Sequence, residues 1–180
     1  QGWDVDIAGH VRRGGRVLGI CGGYQMLGRK VHDPDGLEGP AGSADGLGLL
    51  DVETVLSPEK ALTRVTGSAM TGAAMGEPIS GYEIHIGRTD GSDRARPFAT
   101  IDDGTGPHQD GACSPSGQIA GSYLHGMFSD DSFRRSFLAG LGATHFSGMN
   151  FTAEIDGVLD RLADHLEAHL DTETLFGLAR

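Results

Sequence analysis

A short apolar run, Arg16-Val17-Leu18-Gly19-Ile20, passes without a linker into Cys21-Gly22-Gly23-Tyr24-Gln25-Met26-Leu27-Gly28, and that junction leaves the backbone few options. The run has the length of a buried strand and Tyr24 to Leu27 suits a helix, so Cys21 falls on a tight strand-to-helix turn. A cysteine buried for packing needs no glycines beside it. One held on a strained turn does, and Gly19, Gly22 and Gly23 are expected to supply that tolerance. Backbone N–H groups of the first helical turn, together with the helix dipole, favour a thiolate there, and the Gly22 N–H stands where a nucleophile elbow places an oxyanion donor. Cys21 is therefore a candidate nucleophile.

A thiol nucleophile needs an acid–base partner. In Gly121-Ser122-Tyr123-Leu124-His125-Gly126-Met127-Phe128, a strand over residues 120–124 ends at His125, and a glycine follows the imidazole. If this strand runs parallel to the one before Cys21, both residues lie at the same carboxyl edge of a sheet. A third stretch, Gly81-Tyr82-Glu83-Ile84-His85-Ile86-Gly87-Arg88-Thr89, puts Glu83 and His85 two apart, on one face of a strand, and offers the Arg88 fork to an α-carboxylate. Cys113 lies in turn-like sequence and reads as structural. His165 and His169, four apart on the polar face of a helix, read as solvent-facing. His10, His32, His108 and His145 show no partner pattern.

The remaining chain sets bounds. With 180 residues, 38% hydrophobic and 22% charged, it has the composition of one globular domain with a sizeable core. Two cysteines make no disulfide framework and match no zinc-ligand spacing, so a reducing, cytoplasmic setting and no metal are expected. A formal net charge of -11 repels phosphates and anionic lipid, which argues against nucleic acid or membrane as partner.

Along the chain, residues 7–13 read as the end of a helix stopped at Gly14-Gly15, and residues 32–48, rich in Gly, Pro and Asp, as a long surface loop. Strands are expected over 49–56, 62–68, 79–87 and 98–101. Ser129 reads as the N-cap of a helix running through Leu138 and ended by Gly140. Ile155, Val158, Leu159, Leu162, Ala163 and Leu166 form the apolar stripe of a last helix. Strands mixed with helices in this order predict an α/β layered fold.

In their order, GICGGYQMLG, GYEIHIGRT and GSYLHGMF resemble the three signature segments of the triad-type, class I glutamine amidotransferase domain of cobyric acid synthases. DPDGLEG, GLGLLDVET and the opening GWDVDIAGHVRRGG extend the likeness over nearly the whole chain. The resemblance implies a three-layer, flavodoxin-like sheet with helices on both faces. It implies that Cys21 attacks the carboxamide of glutamine, that His125 protonates the departing ammonia, and that Tyr24, Gln25 and Arg88 grip the substrate. Ammonia then passes to an ATP-dependent synthetase domain of the same polypeptide, which uses magnesium and amidates adenosylcobyrinic acid a,c-diamide, a corrinoid acceptor, on the route to cobalamin. No cofactor is expected in the glutaminase domain itself.

This sequence departs from the family pattern at one catalytic position. Class I domains commonly carry a carboxylate two residues after the histidine, where this chain has Met127. A Cys21–His125 dyad and a triad in which Glu83 orients His125 both stay open. The opening Gln1-Gly2-Trp3-Asp4 reads as the interior of a longer chain. Residues 1–180 are accordingly expected to be the C-terminal part of a glutaminase domain, with its first strands and the synthetase upstream, and to be weak or inactive alone. A glutaminase serving another acceptor such as a cell-wall precursor, a non-catalytic docking module, and a cysteine peptidase of the same superfamily are the competing readings.

Overall fold

The structure is a computed structural model that describes residues 2–178. It forms two compact units, Gln1–Thr144 and His145–Arg180.

In the first unit, α1 (Trp3–Arg12) ends as expected, with Gly14 in the left-handed region at φ 86°. The order continues β1 (Val17–Ile20), α2 (Gly22–Leu27), β2 (Lys30–Asp33), β3 (Gly42–Asp45), β4 (Glu53–Ala69), β5 (Pro78–Asp90), β6 (Ala99–Asp102), β7 (Pro107–Asp110), β8 (Ala112–Cys113), β9 (Ile119–Ser122), β10 (Leu124–His125) and α3 (Asp131–Gly140). The α/β class holds. The strands are divided between two sheets, of order β1-β9-β8 and β10-β5-β4-β2-β3, with β6 joining β4 to β7 in the second. Among the described residues, β1 with β9 and β2 with β4 pair in parallel and the other pairings are antiparallel.

Several expectations change at this level. The long loop over 32–48 is a hairpin in which β2 pairs with β3 from Lys30↔Asp45 to Asp33↔Gly42. The strands expected over 49–56 and 62–68 are one strand, β4, whose register against β5 shifts between Val55↔Arg88 and Lys60↔Ile86. The single strand expected to end at His125 is two strands, β9 and β10, in different sheets. Asp130, not Ser129, occupies the N-cap of α3, and its carboxylate turns away from the helix to accept from the N–H and hydroxyl of Ser80 at 2.6 and 3.0 Å.

Two apolar clusters hold these sheets. One gathers Val65, Ile79, Phe98, Ile101, Leu124, Met127 and Phe133; the other gathers Tyr24, Leu27, Leu50, Val52, Ile119 and Tyr123. Successive side chains of extended backbone point to opposite sides, so Tyr123 enters one cluster and Leu124 the other. Full burial of such a side chain contributes roughly 1.5–3 kcal/mol. The crossing from β9 to β10 is therefore pinned from both sides. In the second unit, α4 (Phe151–His169) carries the expected stripe and starts at Asn150, whose side chain accepts from Ala153 N–H at 2.9 Å; α5 (Thr172–Leu178) follows. Among the described residues, no helix is long and apolar enough to cross a membrane.

Candidate active site

Cys21 is the N-cap of α2 and has φ 55°, ψ -121°, the one positive φ at a non-glycine position among the described residues. Such a conformation costs on the order of 1–3 kcal/mol and persists only where the surroundings enforce it. Four hydrogen bonds enforce it here. The Cys21 N–H donates to Ser122 O at 2.9 Å, the thiol donates to Ile84 O at 3.4 Å, and the N–H groups of Tyr24 and Gln25 return to Cys21 O at 2.9 and 3.2 Å. The strain sits on the cysteine itself. Gly22 and Gly23, expected to relieve it, have open space where a Cβ would stand.

The glycines this turn requires are those beneath α2. Gly19 and Gly121 face each other across the parallel pair β1/β9. A Cβ on Gly19 would meet Gly23 O and Leu27 Cδ1 at 2.6 Å, and one on Gly121 would meet the Tyr24 ring at 1.9 Å. The short helix rests directly on bare backbone, which brings its first turn down to the carboxyl ends of both strands. Gly22 and Gly23, at the start of α2, have no intrahelical acceptor for their N–H groups, which are the natural donors to an oxyanion on the substrate.

The second strand of that pair delivers His125. Beyond Ser122 the chain crosses to β5, where Leu124 pairs with Glu83 and His125 with Tyr82. Gly81, in which a Cβ would lie 1.9 Å from His125 O, admits this close approach. The thiol of Cys21 meets β5 at Ile84, two residues from Tyr82, so the parallel strands bring both candidate groups to one short stretch of β5. His125 Nε2 is buried without a hydrogen-bond partner among the described residues. A buried polar atom left unpaired is costly, and a substrate or water that bonds it removes that cost.

The other candidates take different places. The Gln25 amide donates to Ile86 O at 3.1 Å and to Tyr123 Oη at 3.2 Å, so it anchors the elbow to β5 and its nitrogen is already occupied. Tyr24 is 1% exposed and packs edge-on against Tyr123 with ring centroids 5.0 Å apart, a core residue whose hydroxyl pKa burial raises. Its Oη lacks a partner among the described residues. Arg88 is exposed and lies four residues beyond Ile84, roughly 13 Å along an extended strand. It lines a cleft of about 470 Å³ that also includes Lys60, Glu83, His85, Arg94, His108 and Tyr123.

Glu83 does not meet His125. Its carboxylate accepts from His85 Nε2 at 3.3 Å and from His108 Nε2 at 3.1 Å. The expectation that Glu83 and His85 share a face holds, but both imidazoles belong to residues other than the one Glu83 was expected to orient. The hydrogen bond from His85, with that from His108, holds the Glu83 carboxyl below its usual range. Burial opposes charge on His85, yet the Glu83 and Gly87 carbonyl partners outweigh it and raise the imidazole pKa. Glu83 therefore stabilises the fold above its unfolded value near 4.5 and loses that contribution as pH falls. His85 stabilises it below 6.5 and loses that contribution as pH rises through its raised value. Glu83→Gln is expected to cost about 1.5 kcal/mol, most between these pH values and less above the raised His85 value. Denaturant midpoints measured across pH check this; a cost independent of pH would contradict it.

Sequence reasoning missed a polar network behind the elbow. Tyr123 Oη bonds Thr89 Oγ1 at 2.5 Å, and Thr89 bonds Thr54 Oγ1 at 2.6 Å, all three buried. Asp110, 3% exposed, accepts from Ser122 Oγ at 2.5 Å and Tyr123 N–H at 3.0 Å. Burial raises the Asp110 carboxyl pKa against these hydrogen bonds. A short polar side chain before glycine, as in Asp110-Gly111, reads as a turn, and its burial depends on strands distant in sequence. Cys113 is buried, as expected of a structural cysteine. His10 and His32, which showed no pattern, bond Arg16 O at 3.1 Å and Glu53 at 3.0 Å.

The family model for the CobB/CobQ-like glutamine amidotransferase domain matches residues 1–133. The chain is 59% identical over all 180 residues to a cobyric acid synthase of Paracoccus denitrificans, 62% to one of Cereibacter sphaeroides and 51% to one of Rhizorhabdus wittichii. It spans 35–36% of the length of these curated relatives.

Proposed function

From the premise that this chain belongs to the CobB/CobQ-like glutamine amidotransferase domain family, we propose that it hydrolyses glutamine through a Cys21 thioester and supplies ammonia to a synthetase portion of the same polypeptide. The observation that carries this reading is the strained backbone of Cys21 at the strand-to-helix junction. A packing cysteine has no use for that conformation, whereas a nucleophile held clear of its own strand requires it.

The steps follow from the residues at the elbow. The Cys21 thiol gives its proton to neutral His125, the thiolate Sγ bonds to the carboxamide carbon of glutamine, and the oxygen of the tetrahedral adduct takes up the negative charge that the Gly22 N–H stabilises. As the C–N bond breaks, the nitrogen takes a proton from the His125 imidazolium and leaves as ammonia. Neutral His125 then accepts a proton from water as the water oxygen attacks the thioester, the C–S bond breaks to release glutamate, and the Cys21 sulfur takes the proton back from His125. The unpartnered Nε2 of His125 supports its role as the group that exchanges these protons. Glu83 is engaged by His85 and His108, so the geometry favours the Cys21–His125 dyad over a triad completed by Glu83.

Arg88 is assigned to the α-carboxylate of glutamine. Arg88→Ala is expected to raise KM about tenfold with kcat nearly unchanged, the signature of lost uniform binding. An unchanged KM would remove Arg88 from the substrate site.

The acceptor reading rests on the relatives, which are cobyric acid synthases nearly three times as long as this chain. In this proposal the remaining length carries ATP and magnesium and amidates adenosylcobyrinic acid a,c-diamide in the cytoplasm. Acid quenching of the full-length protein during turnover, followed by peptide mass spectrometry, tests the glutaminase step. A glutamyl adduct on the Cys21 peptide is expected, and its absence during glutamate release would refute the thioester.

A further inference from the structure

His125 acts in this account only if β10 leaves Tyr123 in one direction, and the backbone at that crossing is held by a single buried carboxylate. Asp110, at the end of β7, accepts from Tyr123 N–H through Oδ1 at 3.0 Å and from Ser122 Oγ through Oδ2 at 2.5 Å. The same Ser122 hydroxyl oxygen accepts from Leu124 N–H at 3.0 Å. One carboxylate and one hydroxyl thereby fix two consecutive N–H groups where the chain leaves the sheet of β1 and joins that of β5, and His125 is the next residue.

A buried carboxyl group is an expensive way to hold a turn unless hydrogen bonds replace the hydration it loses, and Asp110 accepts two. Each carboxyl oxygen accepts from a different group, a two-point hold that a serine side chain would not supply. Tyr123 is fixed at its other end as well, by Thr89 at 2.5 Å and Gln25 at 3.2 Å. Through Gln25 the same residue is tied to the helix that starts at Cys21. The nucleophile and the imidazole thus share one rigid support.

Resting on the reading of His125 as the acid–base group, we propose that Asp110 is a positioning residue for His125, fixing through Ser122 and Tyr123 the direction in which the imidazole leaves the sheet. Its hydrogen bonds go to Ser122 and Tyr123, not to Cys21 or to the His125 imidazole. Displacement of a catalytic group by about 1 Å costs on the order of 100-fold in rate, which sets the scale of the effect.

The test uses the full-length protein with Asp110→Asn and Ser122→Ala, each alone and combined with His125→Ala, beside His125→Ala itself. Glutamine turnover and the p-nitrophenolate burst from γ-glutamyl p-nitrophenyl ester are measured. The ester's leaving group needs no proton, so acylation stays measurable without His125. Asp110→Asn is expected to lower kcat for glutamine about 100-fold with KM unchanged. In the His125→Ala background it is expected to add no further loss to the burst rate. Wild-type kcat in Asp110→Asn, or an equal loss with and without His125, would overturn the proposal. If circular dichroism shows that Asp110→Asn does not fold, Ser122→Ala carries the test under the same criteria. Wild-type turnover in His125→Ala would overturn the acid–base reading itself. That result is distinct from an active Asp110→Asn beside an inactive His125→Ala, which overturns the positioning role alone.

Discussion

Replacement of Cys21 by serine is expected to lower glutamine hydrolysis at least about 10⁴-fold while leaving the fold intact. Serine has nearly the same size and can donate to Ile84 O as the thiol does, so the elbow keeps its contacts. What it loses is nucleophilicity. A hydroxyl stays protonated near neutrality and must surrender its proton to a base during attack. His125, the base for the Cys21 thiol in the proposed mechanism, would have to remove the proton of a far weaker acid. Glutamate release and thermal melting of the two proteins check the claim together. A loss below tenfold would mean that the carboxamide is attacked by something other than residue 21.

Gly121→Ala is expected to remove activity by a route that involves no catalytic atom. The new methyl carbon would stand 1.9 Å from Tyr24 Cδ2 and 2.6 Å from Cγ. A ring that is 1% exposed has nowhere to retreat within a packed cluster, so α2 must lift from β9. Overpacking of this kind costs roughly 3 kcal/mol. The lift also breaks the geometry of the Cys21 turn, which is bonded to Ser122 O one residue beyond Gly121. A reduced urea midpoint with unchanged slope, together with about 100-fold lower turnover, is the expected pair of results. Gly22→Ala is the contrast, because its Cβ meets nothing within 4 Å. A normal midpoint for Gly121→Ala would show that Tyr24 is not held where the structure places it.

How much of this was legible in the sequence depends on whether a feature is written in consecutive residues. The elbow was, because the apolar run, the cysteine and the helix follow one another within a dozen positions, and β1, α2 and the turn appear where the pattern puts them. The glycines were misassigned within it. Gly22 and Gly23 flank the cysteine, but the close approach falls on Gly19 and Gly121, and the second of these is a hundred residues away. The crossing at Tyr123 was hidden for a similar reason. Alternating burial of Tyr123 and Leu124 reads as one continuous strand, and only the partners reveal two sheets.

The hairpin was hidden because β3, Gly42-Ser43-Ala44-Asp45, is exposed throughout and carries no apolar alternation; its extended form comes from pairing with β2. Glu83 and His85 were correctly placed on one face, since that needs only a period of two. His108 reaches the same carboxylate through the β6–β7 pairing, which no local pattern announces. Asp110 was missed because a buried role for a residue before glycine becomes visible only when β7 lies against the end of β9.

The most direct measurement is the labelling of the full-length protein with a diazo-ketone analogue of glutamine, with the adduct located by peptide mass spectrometry and Cys21→Ser as control. The account predicts a single adduct on Cys21, prevented by excess glutamine and absent from the control. No adduct at Cys21, in a protein whose Cys21 reacts with a simple alkylating agent, would contradict it. The elbow would then be structural and the chain a docking module.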